Sequence, residues 1–199
     1  IKGHAGVGIE EGFTRRFPRL AARLYDLQAR ITLGGMYRRV AREIASAIDS
    51  GVVLDVGTGP GRLPLELAPL APALAITGVD LSPEMIDLAQ RKARKRGLDS
   101  TISFLSGDAT ALPVPDASFD LVVSTLSVHH WHDQAQGLAE LHRAMRPGGV
   151  TWVYDIYSDG IQQAFEELIG FSPFRAYQMS QVKFSRWMPG HGLLKIEMR

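Results

Sequence analysis

The chain has 199 residues, 45% of them hydrophobic, and its 22 Lys+Arg against 21 Asp+Glu leave a formal net charge of +1. That is enough apolar material for one sizeable core, most simply a single domain over 1–199, and a charge too small to suggest nucleic acid as a partner. The absence of cysteine excludes disulfides, thiolate metal sites and cysteine nucleophiles, while the lack of a long apolar run or a signal peptide leads us to expect a cytoplasmic protein without stable membrane insertion.

Residues 10–48 carry apolar positions at helical spacing, with Leu20, Leu24, Leu27 and Ile31 able to share one face. The Gly34-Gly35 pair predicts a break into two helices. Next, Val52-Val-Leu-Asp-Val56 reads as a buried strand running into Gly57-x-Gly59-x-Gly61, and Arg62–Ala68 as a helix. A strand, a glycine turn and a helix start form a nucleotide-binding elbow, because glycine admits positive φ and the first helical N–H groups lack partners. A dinucleotide fingerprint would place its third glycine where Arg62 stands, one residue after Gly61, and a P-loop would need a Gly-Lys-Ser/Thr that is missing. A turn without a ligand is the plainer alternative at this point.

A second strand, 73–79, ends in Asp80, placed to accept hydrogen bonds from ribose hydroxyls. Ser82, Pro83 and Glu84 then suit the cap, first position and first turn of a helix. The five cations Arg91, Lys92, Arg94, Lys95 and Arg96 read as a solvated face that complements the negative end of this helix. A third strand, 101–106, ends in Gly107-Asp108-Ala109, and a fourth spans 119–124. His129-His130-Trp131-His132-Asp133 follows; since His132 or Asp133 can start the next helix, we expect no metal there. Arg146-Pro-Gly-Gly149 leads into a fifth strand, 150–156, then a helix over 160–170. Strands over 182–187 and 193–198, joined through 188–192, predict a closing hairpin. Alternating strands and helices imply a parallel sheet covered on both faces, with Asp55-x-Gly57, Asp80 and Asp108 along the edge where open α/β sheets bind ligands.

Taken in order, Leu54-Asp-Val-Gly-Thr-Gly-Pro-Gly61, Gly78-Val-Asp-Leu-Ser-Pro-Glu-Met85, Gly107-Asp-Ala109 with Leu112-Pro113, Phe119-Asp-Leu-Val-Val123 and Arg146-Pro-Gly-Gly149 resemble a class I S-adenosylmethionine-dependent methyltransferase. Leu24-Tyr-Asp-Leu27 and Tyr37-Arg-Arg39 are similar to the small-molecule branch that includes the ubiquinone/menaquinone C-methyltransferases. The resemblance implies an α/β, three-layer Rossmann-like sandwich around a mostly parallel seven-stranded sheet of order 3-2-1-4-5-7-6, its last strand antiparallel. It divides the domain into a helical cap or lid (1–50), a cofactor-binding core (51–156) and a C-terminal helix and hairpin (157–199).

The implied cofactor is S-adenosylmethionine, leaving S-adenosylhomocysteine as product. Gly57, Thr58, Gly59 and Gly61 would wrap its methionine part and ribose. Asp80 would take the ribose hydroxyls, Leu81 and Met85 would flank the adenine, and Asp108 with the Ala109 backbone would read its edge. Asp55 would brace the loop; Ser124 and a lid residue, Tyr25, complete the set. His129 and His130 are the candidate bases beside the transferred methyl. The missing Asn/Asp-Pro-Pro-Tyr/Phe after the fourth strand (here Ser124-Thr-Leu-Ser127) points away from methylation of planar amide or base nitrogens, and the missing cysteines from arsenic. The expected reaction is direct in-line methyl transfer to O, C or N of a small organic acceptor, by a chain that is monomeric or a homodimer. Two rivals are a non-catalytic cofactor-binding partner subunit and a nicotinamide-dependent oxidoreductase, the latter giving no reason for Gly107-Asp108-Ala109.

Overall fold

The strand run that carries the first glycine turn sits at the centre of the sheet. In a computed structural model that describes residues 19–183 and 192–199, β1 (Ser50–Val56) lies between β2 (Ala73–Asp80) and β4 (Phe119–Thr125), parallel to both. β3 (Ile102–Ser106) flanks β2, and β5 (Met145–Ile156) flanks β4. β7 (Gly192–Met198) runs antiparallel between β5 and β6 (Tyr177–Lys183), so the seven strands lie in the order 3-2-1-4-5-7-6. This is the expected architecture. The order reverses between β1 and β4, and such a reversal opens a crevice at the carboxyl ends of the strands.

Successive residues of a strand point to opposite faces, and two cores result. Val53, Leu121, Val123, Trp152 and Tyr154 join Val40 and Ile44 of α1 (Arg19–Ala47), Leu63 of α2 (Arg62–Leu67) and Ile86 and Ala89 of α3 (Pro83–Arg96). Leu54, Val122, Val153 and Ile196 join Leu138 and Leu141 of α4 (Gln134–Ala144) and Phe165 and Ile169 of α5 (Asp159–Gly170). Central strands buried on both faces explain the unbroken apolar runs at β1 and β4.

Three expectations need correction. α1 runs unbroken through Gly34-Gly35 instead of splitting there. A glycine in a helix interior costs about 1 kcal/mol relative to alanine. Packing of Met36, Val40, Ala41 and Ile44 into the core offsets that cost. The sixth strand is Tyr177–Lys183, which overlaps the expected 182–187 only at Val182 and Lys183; residues 184–191, which include most of the expected connection, lie outside the described residues. Its register is set by β7, from Tyr177 opposite Met198 to Val182 opposite Leu193, and on an edge strand with Gln178, Ser180 and Gln181 the hydrophobic pattern is weak. Finally, β5 begins at Met145, with Phe119 paired to Met145 but Leu121 to Val150, so Arg146–Gly149 form a bulge within the strand.

Beneath α1, Lys195 of β7 is only 7% exposed. Its ammonium lies 2.7 Å from a Glu43 carboxylate oxygen and 2.6 Å from Glu197, and 3.8 Å from the centre of the Trp152 ring. Buried charge is tolerated only when paired in this way. The Tyr154 hydroxyl lies beside Glu43, outside hydrogen-bond geometry; burial first, then the Glu43 and Glu197 charges, push its acidity far down. We expect Lys195→Met, which strands two carboxylates against aromatic rings, to cost about 2–3 kcal/mol of stability, less than a fully buried pair because Glu43 and Glu197 keep contact with water. Urea unfolding of the two proteins checks this.

Candidate active site

The loop after β1 closes over the end of β2, where the Gly57 and Thr58 N–H groups both donate to the Val79 carbonyl, at 2.8 and 2.9 Å. Gly57 has φ 74°, and a Cβ there would stand 1.8 Å from the Ser127 hydroxyl oxygen. At Gly61, also with φ 74°, a Cβ would meet the Phe104 ring at 2.8 Å and Ala89 at 3.0 Å. The close-packing role that a dinucleotide fingerprint assigns to its third glycine is thus filled one residue early, and Arg62 begins α2.

Three strand ends bring the expected carboxylates to one edge. Asp55, 2% exposed, accepts a 2.6 Å hydrogen bond from the Thr58 hydroxyl. Burial pushes its carboxyl up to about 7, against the pull of Thr58 and with a further push from Asp80. Asp80 accepts from the Gly59 N–H at 2.7 Å with one oxygen and from the Ser82 N–H at 2.9 Å with the other. Burial raises its pKa, opposed by those two bonds. The carboxylate is therefore held in one orientation between the glycine loop and the start of α3. Next to it Leu81 is 65% exposed, while Met85 is buried in the first turn of α3.

β2 and β3 pair Asp80 with Ser106, which sets Asp108 just past the same level. One Asp108 oxygen accepts from the N–H and hydroxyl of Thr110, at 2.9 and 2.8 Å; the other lies 4.0 Å from His132. Burial would raise this carboxyl, but the Thr110 bonds and the His132 charge outweigh it and hold it low. Ala109 follows, half-buried. Residues 112–116 are clamped from α4: Glu140 accepts from the Leu112 N–H at 2.7 Å, and Arg143 donates to the Leu112 and Val114 carbonyls at 3.0 and 2.9 Å. Sequence reasoning passed over Glu140 and Arg143, because a Glu and an Arg on a helix normally read as a solvated face.

At the end of β4, Ser124 and Thr125 are buried and their hydroxyl oxygens have no hydrogen-bond partner among the described residues. Leu126 then takes φ 54°, a region unfavourable for a bulky side chain. Its N–H is held by the Tyr154 carbonyl at 2.7 Å. This bend throws residues 127–131 across the glycine loop as one 3₁₀ turn, Val128–His130. Trp131 locks the turn by donating from its indole N–H to the Ser127 hydroxyl at 2.9 Å, its ring lying where a Cβ at Gly137 would be. Asp133 caps α4 by accepting from the Gln136 N–H at 2.9 Å, so it serves as the helix start that His132 or Asp133 was expected to supply.

His129 and His130 sit on this turn with ring centres 3.9 Å apart. The Nδ1 of His129 is 2.6 Å from an oxygen of Asp155, a residue of β5 with no exposed surface. The hydrogen bond to Asp155 raises the pKa of His129 despite partial burial, whereas burial and then the neighbouring His129 charge lower that of His130. Asp155 escaped sequence reasoning because it stands as one more residue of a strand, and only the β4–β5 pairing brings it to His129. Among the described residues no three or more His, Cys, Asp or Glu side chains converge as a metal site would. Tyr25 lies on α1, its side chain outside the described residues.

Residues 54–153 match the family described as a methyltransferase domain. Two curated relatives are named demethylmenaquinone methyltransferase: one from Deinococcus radiodurans, 41% identical over 74% of this chain, and one from Thermus thermophilus, 39% identical over 67%. The aligned part is 60% of the length of each relative, so the chain spans about three fifths of them. A solved structure from Methanococcus maripaludis, described as a candidate S-adenosylmethionine-dependent methyltransferase, shares the fold with a TM-score of 0.80, at 22% identity and covering 95% of this chain and 96% of that one.

The raised Asp55 carboxyl carries a linkage. Between its ordinary value of 3.8 and about 7 the folded protein holds a proton that the unfolded chain has released, so stability falls as pH rises through that window. Asp55→Asn keeps an acceptor for the Thr58 hydroxyl and removes the titration. Urea unfolding at about pH 5 and about pH 7.5 should show a smaller loss of stability in the variant than in the parent.

Proposed function

The chain belongs to the class I S-adenosylmethionine-dependent methyltransferases, and from that premise we propose that it moves a methyl group to O, C or N of a small organic acceptor by direct in-line transfer. The observation that carries this reading is the Asp80 carboxylate, pinned by the Gly59 and Ser82 N–H groups at the carboxyl end of β2, beside the switch point between β1 and β4. A carboxylate is an acceptor only, and its remaining lone pairs suit the two hydroxyls of a ribose.

The surrounding residues fit the cofactor. Gly57 and Gly61 leave no room for a side chain against Ser127 and Phe104, so the backbone of Gly57, Thr58, Gly59 and Gly61 would offer itself to the methionine part and ribose, while Asp55 braces the loop through the Thr58 hydroxyl. Leu81 and Met85 offer apolar surface to a flat base, with Asp108 and the Ala109 backbone at its edge and Ser124 at the end of β4. S-adenosylmethionine, when bound, supplies a methyl group already activated on a sulfonium. The protein's part is to place the acceptor in line with it, and positioning alone can supply much of the rate.

In this reading the acceptor binds in a space between the N-terminal helical region around Tyr25 and the 127–131 turn; that Leu33 and Tyr37 of α1 and Leu126 before the turn pack against the same core supports it. Within it, His129 or His130 takes a proton where the acceptor must lose one. A reduced naphthoquinone, akin to the acceptor in the names of the Deinococcus and Thermus relatives, is the first compound to try. The same proposal has the chain work in the cytoplasm.

Two outcomes are expected. Asp80→Ala should weaken S-adenosylmethionine binding by about 1.5–3 kcal/mol for each charge-assisted bond lost. Calorimetric titration with S-adenosylmethionine, S-adenosylhomocysteine and NADH checks it; unchanged affinity would remove the ribose assignment, and tight binding of NADH alone would sink the methyltransferase reading. Removing residues 1–32, which leaves Met36, Val40 and Ile44 on the sheet, should abolish release of S-adenosylhomocysteine with a reduced naphthoquinone while sparing most cofactor affinity. Full activity of the shortened chain would show that the acceptor space is closed by something else.

A further inference from the structure

Asp155 is a carboxylate with no exposed surface, at the ligand edge of β5 and on the sheet face that α4 and α5 cover. Such a group needs donors. It receives the His129 ring nitrogen at 2.6 Å, the His129 backbone N–H at 3.3 Å and the Ile156 N–H at 2.8 Å. We propose that Asp155 is the positioning residue of a proton-accepting pair with His129, which turns Nε2 of His129 toward an acceptor that loses a hydroxyl proton as it is methylated. The inference rests on the methyltransferase reading above and deepens it in two ways: it chooses His129 over His130, and it names the acceptor class as phenols and enols, against amines and thioethers that already offer a free lone pair.

The geometry carries the choice. An ionised carboxylate only accepts, so at 2.6 Å the proton must sit on Nδ1 and the neutral ring keeps its lone pair on Nε2. His129 remains partly open, with 29% of its side chain exposed, and can be reached. The turn that bears it is fixed at both ends, by the Leu126 N–H on the Tyr154 carbonyl and by the Trp131 indole on Ser127. Among the described residues, Asp155 from β5 is the charged group that acts on His129, and His129 in turn acts on His130 of the same turn. Partial burial and then the charge of His129, with ring centres 3.9 Å apart, favour the neutral form of His130, so the environments push the two histidines in opposite directions.

The step balances. The hydroxyl proton passes to Nε2, giving an imidazolium held by Asp155. The electron pair it leaves behind makes the acceptor's bond to carbon as the S–CH3 pair returns to sulfur. The imidazolium then releases the proton to water.

The competing role is a strap that ties the turn to β5. Histidine ¹⁵N NMR on the full chain with S-adenosylmethionine bound, together with rates on a reduced naphthoquinone, separates the two. In the parent, neutral His129 should carry its proton on Nδ1 and titrate above His130. In Asp155→Asn the His129 titration should move to lower pH, kcat should fall about 10²–10⁴-fold with KM little changed, and the acid limb of the pH profile should move down with the NMR titration. The double variant with His129→Gln should be no slower than His129→Gln alone. An Nε2-protonated ring in the parent would overturn the proposal. So would a normal kcat and an unmoved acid limb in Asp155→Asn, or multiplicative losses in the double variant. Should Asp155→Asn fail to fold, Asp155→Glu takes its place, and full activity of His129→Gln would then overturn the pair. Failure of the parent to bind S-adenosylmethionine would instead strike the underlying reading, while the tautomer result would still decide the pair.

Discussion

Carboxylates placed where β-strands end, with little water to solvate them, are the constraint on which the site depends. Asp55, Asp80 and Asp155 close β1, β2 and β5. Taking such groups out of water is costly unless each finds donors. Some donors come from the next few residues and some from across the sheet: the Thr58 hydroxyl for Asp55, the Ser82 N–H and the more distant Gly59 N–H for Asp80, and Ile156 with the distant His129 for Asp155. Each arrangement converts an electrostatic penalty into a fixed loop conformation. The glycine loop, the start of α3 and the turn after β4 are shaped by the same requirement.

The halves of the sheet then meet at one point. β1, β2 and β3 bring the glycine loop, Asp80 and Asp108 to one side of the switch point, while β4 and β5 bring the histidine turn to the other. Between them stand Gly57 and Ser127, so close that any side chain on Gly57 would overlap the serine hydroxyl. Glycine at that position has two physical grounds, positive φ and the absence of room. The strained Leu126 and the indole hydrogen bond of Trp131 set how far the turn leans across. Strain of this kind persists only where the surroundings over-determine it, and here β5, α4 and the glycine loop all bear on the same few residues.

Around this edge the charged side chains hold outlying segments in place. Arg143 and Glu140 keep residues 112–116 against α4, next to Asp108. Lys195 joins β7 to α1 through Glu43 and lies over Trp152. Both are ion pairs with buried or half-buried members, so their value lies as much in fixing one geometry as in net stability.

How much of this could be read from the sequence depended on the range of the interactions involved. The order of strands and helices, the three glycines, the Ser82 cap and the acidic residues Asp55, Asp80 and Asp108 at the ends of β1, β2 and β3 were legible, because each is set by neighbours a few residues apart and by the alternation of apolar residues. Gly34-Gly35 misled, since burial of Met36, Val40 and Ile44 against the sheet outweighs a local preference to break the helix. The start of the sixth strand was misplaced because an edge strand takes its register from β7 and carries little apolar pattern of its own. Asp155 with His129 are 26 residues apart in the chain, and Glu43 with Lys195 152 apart. Nothing in the local sequence marks either pair, because a contact made across a sheet exists only after β4, β5 and β7 have found their places. Local spacing therefore determined which residues reach the edge, and the tertiary structure decided which of them meet.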